Sequence, residues 1–273
     1  MKKNLYRLAV VLLTLTLLGI GGYLLWKELD YRRGAEDYAA AADVAGLDQS
    51  REEARDEVIQ TPEDPFAAAL AGTDLDALKE LNPDVLGWIA IPDTELSYPL
   101  LQGEDNNWYL NHTWTGERSA VGAIFLECQC APDFSGFNTI IYGHRMNNHS
   151  MFGTLREYKQ QDFWSQHPAV YIVDSASVRR YEIFAAGEAS VREVVYRLDI
   201  ERSGLQQKFI DYCLEQSVID TGVVPTAEDQ VITLSTCTGR GYATRWVVQA
   251  VLREEFPLSP SAPSAEGGGP QLR

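Results

Sequence analysis

From residue 85 onward the sequence is divided into short apolar runs, mostly of four to seven residues, which are separated by Pro, Gly, Asn and Asp. Runs of this length between turn-forming residues are typical of β-strands. The candidate strands are "VLGWIAI", "SYPLL", "AIFLE", "NTIIYGH", "AVYIV", "RRYEIFAAGEA", "QVITLSTC" and "RWVVQAVLR". Their irregular spacing favours a β-barrel or a β-sandwich with inserted helices over a repeat architecture. We therefore predict one mainly β domain over residues 81–256.

One inserted helix is indicated by "SGLQQKFIDYCLEQS", residues 203–217. The apolar residues Leu205, Phe209, Tyr212 and Cys213 fall on one face of such a helix. We therefore predict that Cys213 is a packed core residue. A second, shorter helix is predicted within "SMFGTLREYKQQDFWSQH", residues 150–167.

The N-terminal region contains nineteen consecutive uncharged residues, 8–26. As an α-helix this run spans roughly 28 Å, close to the thickness of the hydrocarbon core of a bilayer. A cleaved signal peptide is the alternative, but its apolar region is usually only about 7–15 residues long, and no small-x-small cleavage site follows. Three basic residues precede the run, namely Lys2, Lys3 and Arg7. By the positive-inside rule we expect residues 1–7 in the cytoplasm, a single membrane span, and the remaining chain outside the cell.

The segments that flank the β domain have a different composition. Residues 27–80 are rich in Ala, Glu and Asp and poor in β-branched and aromatic residues, so we interpret them as helix or solvated spacer rather than core. Residues 257–273, "PLSPSAPSAEGGGPQLR", have no apolar periodicity and are predicted to be disordered. The formal net charge of −16 argues against a nucleic-acid-binding protein, because such a protein needs a basic surface to neutralise phosphates.

The chain has four cysteines, which are too few and too irregularly spaced for the disulfide scaffold of an exported protein. Cys128 and Cys130 form a C-x-C pair, but no second pair stands at a spacing that would complete a metal site. A disulfide between these two residues would be strained, so we expect two free or packed thiols. The sequence therefore suggests neither a metal nor an organic cofactor, and it predicts at least one free thiol.

The run "VITLSTC" ends a predicted strand on a cysteine, and "RWVVQAVL" begins the next strand with an arginine. Because side chains alternate along a strand, Cys237 and Ser235 share one face, and the more apolar opposite face is directed to the core. Arg245 then lies roughly opposite Cys237 in an antiparallel hairpin, where a cation favours the reactive thiolate. A nucleophilic thiol also needs a proton donor, and His144 stands out because it ends the run "NTIIYGH". Each residue alone is equally compatible with a packing role, but together they indicate covalent catalysis by a thiol.

Several motifs, which follow one another in order, resemble the sortases, the cysteine transpeptidases of Gram-positive cell surfaces. "TLSTC" at 233–237 is similar to the TLxTC motif of the family, and "RWVVQAVL" is similar to the strand that carries its arginine. "NTIIYGHRMNNHSMFGTLREY" at 138–158 and "YPLLQGEDNNWYL" at 98–110 resemble segments of the class B members. The resemblance implies a mainly β fold, a closed eight-stranded barrel with an N-terminal helical extension and an inserted helix before the cysteine strand.

The resemblance also implies roles for individual residues. Cys237 would be the nucleophile, His144 the general acid and then the base, and Arg245 the group that steadies the substrate or the oxyanion. Arg240 is a rival arginine in the intervening loop, but only Arg245 stands at the start of the following strand, "RWVVQAVL". Four further residues match the peptide-binding groove of the family: Ser235, Asn106, Leu110 and Tyr142.

The implied reaction is a pair of acyl transfers. The Cys237 thiolate attacks the carbonyl of a threonine in a sorting signal, a thioester forms, and a second amine resolves it. The substrates would be surface proteins or pilins that carry a sorting signal, and the acceptor amine would come from peptidoglycan or from a pilin lysine. Within the family such reactions anchor haem-uptake proteins, polymerise pili and anchor other surface proteins.

Two other functions are compatible with the sequence. A membrane-anchored cysteine endopeptidase would use the same thiol and would transfer the acyl group to water. The second function is that of a non-catalytic binding module on a sortase-like barrel, and the intact set of Cys, His and Arg disfavours it.

Thr238 stands where the class B pattern often has an acidic residue, and this departure changes the wall of the groove.

Overall fold

The computed structural model describes residues 2–47, 64–198, 200, 203–239, 241 and 243–258. Three subjects of the sequence predictions lie outside these residues. They are residues 48–63 of the predicted helix or spacer, the rival arginine Arg240, and residues 259–273, which form nearly all of the predicted tail.

Eight strands form the centre of the structure. They are β1 Val85–Ala90, β2 Ser97–Leu101, β3 Ile124–Leu126, β4 Asn138–Tyr142, β5 Ala169–Asp174, β6 Ser177–Ser190, β7 Val231–Cys237 and β8 Thr244–Pro257. They close into a barrel in the order β1-β2-β3-β4-β7-β8-β6-β5, and β5 pairs back with β1. Most neighbours are antiparallel, whereas β2 with β3 and β4 with β7 are parallel. The predicted eight-stranded barrel is confirmed, and its closure leaves no open sheet edge.

The helices lie before the barrel and in its long connections. The α-helices are α1 Lys2–Val44, α2 Pro65–Ala71, α3 Leu75–Leu81, α4 Gln161–Gln166 and α5 Ser203–Gln216. Short 3-10 helices span Trp108–Leu110, Phe152–Lys159 and Val194–Tyr196. The single short helix predicted within residues 150–167 is thus a 3-10 helix followed by α4. The inserted helix predicted before the cysteine strand is α5, and its bounds agree with the prediction.

Strand alternation divides the core into an inner and an outer part. Ile232 and Leu234 of β7 belong to the main core inside the barrel, as the parity argument predicts. Val231, on the opposite face of β7, packs with Phe209 and Cys213 of α5 in a second core. Cys213 is only 3% exposed, which confirms that it is a packed residue. Helix α5 therefore covers part of the outer face of the barrel, chiefly at β6, whose Phe184 and Ala189 belong to the same second core.

The prediction that residues 27–80 are helix or solvated spacer outside the core is partly wrong. The described part of this segment is largely helical, but Tyr38, Ala41 and Ala45 are buried in the main core. Leu78 of α3 is 0% exposed and belongs to the same core. Small alanine side chains let a helix lie close to the barrel, so a composition poor in β-branched residues does not imply exposure. The buried residues of the described part of this segment are therefore packed as part of the barrel domain.

The predicted start of the tail at residue 257 is also wrong. Strand β8 extends to Pro257, which pairs with Ser177 of β6. The next residue, Leu258, donates its backbone N–H to the carbonyl of Ala176 at 2.9 Å. The barrel domain therefore includes residue 258, because the backbone hydrogen bonds of the last strand continue beyond the point where the apolar pattern ends.

The first part of α1 carries the uncharged run. Its large apolar side chains are exposed, including Leu13 at 62%, Leu18 at 67% and Trp26 at 61%. Among the described residues, this is the one helix whose length and composition suffice to cross a membrane. An exposed apolar surface of this extent is unfavourable in water.

Candidate active site

Strands β7 and β8 place Cys237 beside Arg245. Cys237 is the last residue of β7, and Arg245 follows the first residue of β8. The two strands are antiparallel, and their register pairs Cys237 directly with Arg245. Both residues are half-buried, between the core and the surface. The hairpin geometry predicted from the sequence is therefore present.

The parallel pairing of β4 with β7 brings His144 to the same place. The register pairs Tyr142 with Ser235, so the chain two residues further along each strand reaches His144 and Cys237 at the same level. Two hydrogen bonds continue the pairing beyond the end of β4. The Gly143 N–H donates to the carbonyl of Ser235 at 3.3 Å, and the Thr236 hydroxyl donates to the carbonyl of Gly143 at 2.7 Å. The candidate thiol and the candidate imidazole therefore converge because two strand ends run side by side.

The backbone of Leu110 fixes the orientation of His144. The Nε2 atom of His144 lies 2.6 Å from the Leu110 carbonyl oxygen. Because a carbonyl can only accept a hydrogen bond, Nε2 carries the hydrogen and Nδ1 of the neutral ring is left free to accept a proton. Leu110 was predicted, from the resemblance, to lie in the peptide-binding groove. The contact of its main-chain carbonyl with His144 was not predicted, because every residue type has such a carbonyl.

The charges at the site favour a thiolate. Hydrogen bonding with His144 is the largest influence that lowers the pKa of Cys237; burial opposes it, and the cations Arg245 and Arg145 act in the same direction as His144. The pKa of His144 is raised, first by its hydrogen bond with Cys237 and, against the effect of burial, by the Leu110 carbonyl. The two groups therefore shift each other toward a thiolate paired with an imidazolium.

Arg145 is a second cation at the site that the sequence analysis did not identify. It donates from Nη1 to the carbonyl of Thr238 at 2.6 Å, which ties the chain after His144 to the chain after Cys237. Gly239 makes this approach possible, because a Cβ there would lie 2.5 Å from Nη2 of Arg145. The feature of the sequence that could have pointed to Arg145 is its position directly after His144.

Ser235 is less accessible than the sequence predicts. It is 2% exposed, and its hydroxyl lies 2.8 Å from the hydroxyl of Tyr196, with either atom able to donate. Burial raises the pKa of Tyr196 to about 12, and Arg245 and Cys237 lie near enough to affect it. Tyr196 therefore covers Ser235 and borders the thiol. No pattern in the sequence points to Tyr196, because it lies in a connection remote from Ser235 in the chain.

Asn106 and Tyr142 meet at a buried carboxylate. Glu127 is 5% exposed, and its two oxygens accept from Asn106 Nδ2 at 2.6 Å and from the Tyr142 hydroxyl at 2.9 Å. The side-chain oxygen of Asn106 accepts from the backbone N–H of Cys128 at 2.8 Å. Two residues predicted to lie in the groove are thus held by a third, Glu127, which sequence reasoning did not single out.

The other cysteines differ from Cys237 in their surroundings. The thiol of Cys128 donates to Glu127 at 3.4 Å, and the thiol of Cys130 donates to the Asn138 carbonyl at 3.8 Å. Burial is the largest cause that raises the pKa of each of these thiols and that of Cys213. Only Cys237 of the four cysteines has a lowered pKa. Within the described part of the chain, no group of three or more His, Cys, Asp or Glu is arranged to hold a metal ion.

Comparison with known proteins identifies the family. A sequence profile of the sortase domain matches residues 89–253. This chain belongs to the sortase family. Sortase B of Listeria monocytogenes is 36% identical over 177 residues, which cover 64% of this chain and 72% of that protein. Sortase B of Staphylococcus aureus is 33% identical over 162 residues, which cover 59% of this chain and 66% of that protein.

Solved structures place this sortase in class B. A Staphylococcus aureus sortase B–substrate complex superposes with a TM-score of 0.69 and 26% identity, over 83% of this chain and 99% of that chain. Sortase B from Listeria monocytogenes superposes with a TM-score of 0.59 and 35% identity, over 65% of this chain and 99% of that chain. The class B resemblance inferred from the motifs is therefore confirmed, and with it membership of a family of cysteine transpeptidases.

Alkylation of this sortase tests the charges around Cys237. Iodoacetamide reacts with the thiolate, so its rate rises with pH through the pKa of the thiol. The midpoint is expected below that of an ordinary cysteine, because His144 and two cations stabilise the thiolate. Arg145→Met should move the midpoint upward and slow alkylation at pH 7, since one cation is lost. The matched control is Arg253→Met, since Arg253 lies further along β8 and its side chain pairs with Glu182 of β6. An Arg145→Met midpoint equal to that of the unmodified sequence would contradict this account.

Proposed function

We propose that this protein is a membrane-anchored sortase that cleaves a sorting signal after threonine, holds the acyl group on Cys237 as a thioester, and transfers it to an amine. The observation that carries the proposal is the convergence of three strand ends, which brings Cys237, His144 and Arg245 together. The thiol is the one cysteine with a lowered pKa, and it faces an imidazole whose pKa is raised.

In the first acyl transfer the thiolate of Cys237 attacks the threonine carbonyl carbon of the sorting signal. The carbonyl oxygen gains a negative charge in the tetrahedral intermediate, and Arg245, which lies opposite the thiol, stabilises that charge or holds the peptide in place. His144 gives its proton to the leaving amine as the carbon–nitrogen bond breaks. The products of this step are a thioester on Cys237 and a free amine.

In the second transfer an acceptor amine attacks the thioester. His144, now neutral, takes a proton from the attacking amine through Nδ1, the nitrogen that the Leu110 carbonyl leaves free. The carbon–sulfur bond breaks, Cys237 returns to the thiolate, and a new amide bond joins the acyl group to the acceptor. We propose that the acceptor is an amine of peptidoglycan or a pilin lysine, and that the acyl donors are surface proteins or pilins.

The residues predicted to line the groove support this chemistry in different ways. Asn106 and Tyr142 border the site as a pair that Glu127 holds in one orientation. We propose that the exposed side chain of Leu110 contacts the sorting peptide while its carbonyl orients His144. Ser235 is covered by Tyr196, so we propose that its hydroxyl acts on the peptide through that tyrosine.

The exposed apolar half of α1 supports a membrane location. Residues 8–26 form one continuous helix with their side chains exposed, and the run matches the bilayer core in length. The basic residues before it favour a cytoplasmic N-terminus. The barrel would then stand on the outer surface of the cell membrane, where sorting-signal proteins and cell-wall amines meet.

The products formed with an added amine test this function. The full-length protein in detergent micelles is incubated with peptides that carry LPxTG-like and NPxTx-like motifs, with and without triglycine or a lysine amide. We expect cleavage after threonine and a ligated product that increases with amine concentration while the hydrolysed product decreases. Hydrolysis that amines do not divert would identify a cysteine endopeptidase instead. Cleavage of no peptide in a broad panel would favour the non-catalytic binding module.

A further inference from the structure

The orientation of His144 depends on one loop, residues 109–122, which forms part of the connection between β2 and β3. The loop contacts the imidazole at both of its ends. Near its start, the Leu110 carbonyl accepts the hydrogen of Nε2 at 2.6 Å. At its end, Gly122 lies against the Cδ2 edge of the ring. The position of this loop therefore sets the position of the imidazole.

The contact at Gly122 leaves no space for a side chain. A Cβ at this position would lie 2.8 Å from Cδ2 of His144, 3.0 Å from the Leu110 oxygen and 2.7 Å from the Tyr109 oxygen. Real Cβ atoms essentially never approach heavy atoms as closely as 2.7 or 2.8 Å, and the contact at 3.0 Å is also unusually tight. Two of the three neighbours are backbone oxygens. The φ of Gly122 is +62°, which favours glycine in any case. The residue is therefore required both for the turn and for contact with the ring.

Helix α1 holds this loop from the other side. The Tyr38 hydroxyl is buried and donates to the Gly122 carbonyl at 2.6 Å. Burial raises the pKa of Tyr38 well above its usual value, so the hydroxyl keeps its hydrogen. The Asp37 carboxylate accepts from the Thr113 hydroxyl at 2.6 Å, and the Asp37 carbonyl accepts from the Trp114 ring N–H at 2.9 Å.

Further contacts extend along α1 toward its membrane-facing half. Asp30 accepts from the backbone N–H of Ala120 at 2.9 Å. Gly34 packs so closely on Val121 that a Cβ there would lie 2.7 Å from its side chain. The helix that carries the apolar run therefore contacts the loop at several positions between residues 113 and 122.

We infer that Tyr38 and Gly122 are positioning residues for His144, and that the helix emerging from the membrane thereby holds the imidazole against Cys237. The inference rests on the proposed role of His144. Helix α1, which contains the proposed membrane anchor, then also helps to hold the active site in place. Removing the contact at either residue displaces or loosens the imidazole without removing any group that touches the substrate.

The test at Gly122 uses a second glycine of the same loop as its control. Gly122→Ala is compared with Gly116→Ala, because Gly116 has a φ of +84° but nothing within 4 Å of its added Cβ. Both variants share the backbone strain, and only the first collides with the ring. In the full-length protein, Gly122→Ala is expected to lower kcat on the order of 10²-fold with little change in KM. It should also move the midpoint of Cys237 alkylation to higher pH, whereas Gly116→Ala does neither.

The test at Tyr38 uses a gentler substitution, in case Gly122→Ala disturbs folding. Tyr38→Phe removes one hydroxyl and is compared with Tyr158→Phe, whose buried hydroxyl donates to the His167 carbonyl at 2.7 Å. Tyr38→Phe should lower kcat by about two- to tenfold and raise the alkylation midpoint, since the loop loses a hydrogen bond. Equal effects of Tyr38→Phe and Tyr158→Phe on kcat and on the midpoint would overturn the inference.

His144→Asn separates the inference from the proposed function, because alkylation needs no substrate. If His144→Asn leaves the alkylation midpoint unchanged, the proposed role of His144 is wrong and the inference is overturned with it. If His144→Asn raises the midpoint but neither Gly122→Ala nor Tyr38→Phe does so, only the positioning inference is overturned. A raised midpoint in all three variants supports both.

Discussion

Replacement of Cys237 by alanine is expected to lower the turnover of a sorting-signal peptide by at least about 10³-fold, because no other group can form the thioester. Cys237 is the one cysteine at the junction of β7, β8 and the end of β4, and it alone has a lowered pKa. The measurement is the steady-state rate of peptide cleavage by the full-length protein in detergent micelles. The thermal unfolding midpoint, measured in parallel, should change little, since the residue is half-buried at a strand end.

The three remaining cysteines provide the controls for this substitution. Cys128→Ala and Cys130→Ala remove thiols that donate weakly to Glu127 and to a backbone carbonyl, so turnover should stay within about twofold of the unmodified sequence. Cys213→Ala removes a side chain on the buried face of α5 and is expected to lower stability by about 1 kcal/mol without lowering kcat of the folded protein. Residual turnover in Cys237→Ala that another cysteine substitution abolishes would contradict the assignment of the nucleophile.

Replacement of His144 by asparagine is expected to lower kcat by about 10²- to 10⁴-fold. The ring supplies the proton for the leaving amine and lowers the pKa of Cys237, so both acylation and thiolate formation are impaired. The pH dependence should change as well. The unmodified sequence needs a protonated imidazole beside a thiolate and loses activity as His144 deprotonates above its raised pKa, and this limb should disappear in the variant.

His149, which lies in the same connection after β4 as His144, is the matched control for His144. His149 has a φ of +67°, which asparagine tolerates well, and its ring lies 3.6 Å from Glu157 rather than beside the thiol. His149→Asn should therefore keep kcat and the pH profile of the unmodified sequence. If the two asparagine variants lost activity equally, the loss would reflect the loop and not the chemistry of His144.

The strands were predictable because each one is a local pattern. A run such as "VITLSTC" carries its alternation within itself, so the partition of Ile232 and Leu234 to the core followed from parity alone. The pairing of Cys237 with Arg245 also followed from a local hairpin. Closure of the barrel did not follow from pattern, since β2 with β3 and β4 with β7 pair across long connections. That part of the fold was inferred from the resemblance.

The packing of α1 was missed because composition was taken to indicate exposure. Ala41 of α1 is 0% exposed, as is Ala45 directly after the helix. An alanine-rich and acidic segment is nevertheless interpreted as solvated when no partner surface is known. Asp30 and Asp37, which added to the apparent polarity, in fact accept hydrogen bonds from the loop 109–122. Acidic residues on a helix therefore indicate exposure only where no hydroxyl or backbone N–H from another part of the fold is close enough to donate a hydrogen bond to them.

The residues that hold the reactive side chains in place could not be predicted from the sequence either. Glu127, Tyr196 and Arg145 come from three different connections, and each meets its partner only after the barrel has closed. The carbonyl of Leu110 has no residue-specific signal at all, because every residue has one. What the sequence identified was the set of reactive side chains. What holds them in place is long-range geometry.

The intact mass of the protein during turnover tests the central claim most directly. The full-length protein is mixed with an excess of the peptide that it cleaves, quenched in acid and analysed by mass spectrometry with and without hydroxylamine. We expect a mass increase equal to the acyl part of the peptide, mapped to Cys237 and removed by hydroxylamine as a thioester must be. Cleavage without any adduct, or an adduct on Cys128, Cys130 or Cys213, would contradict the account of Cys237 as the acyl carrier.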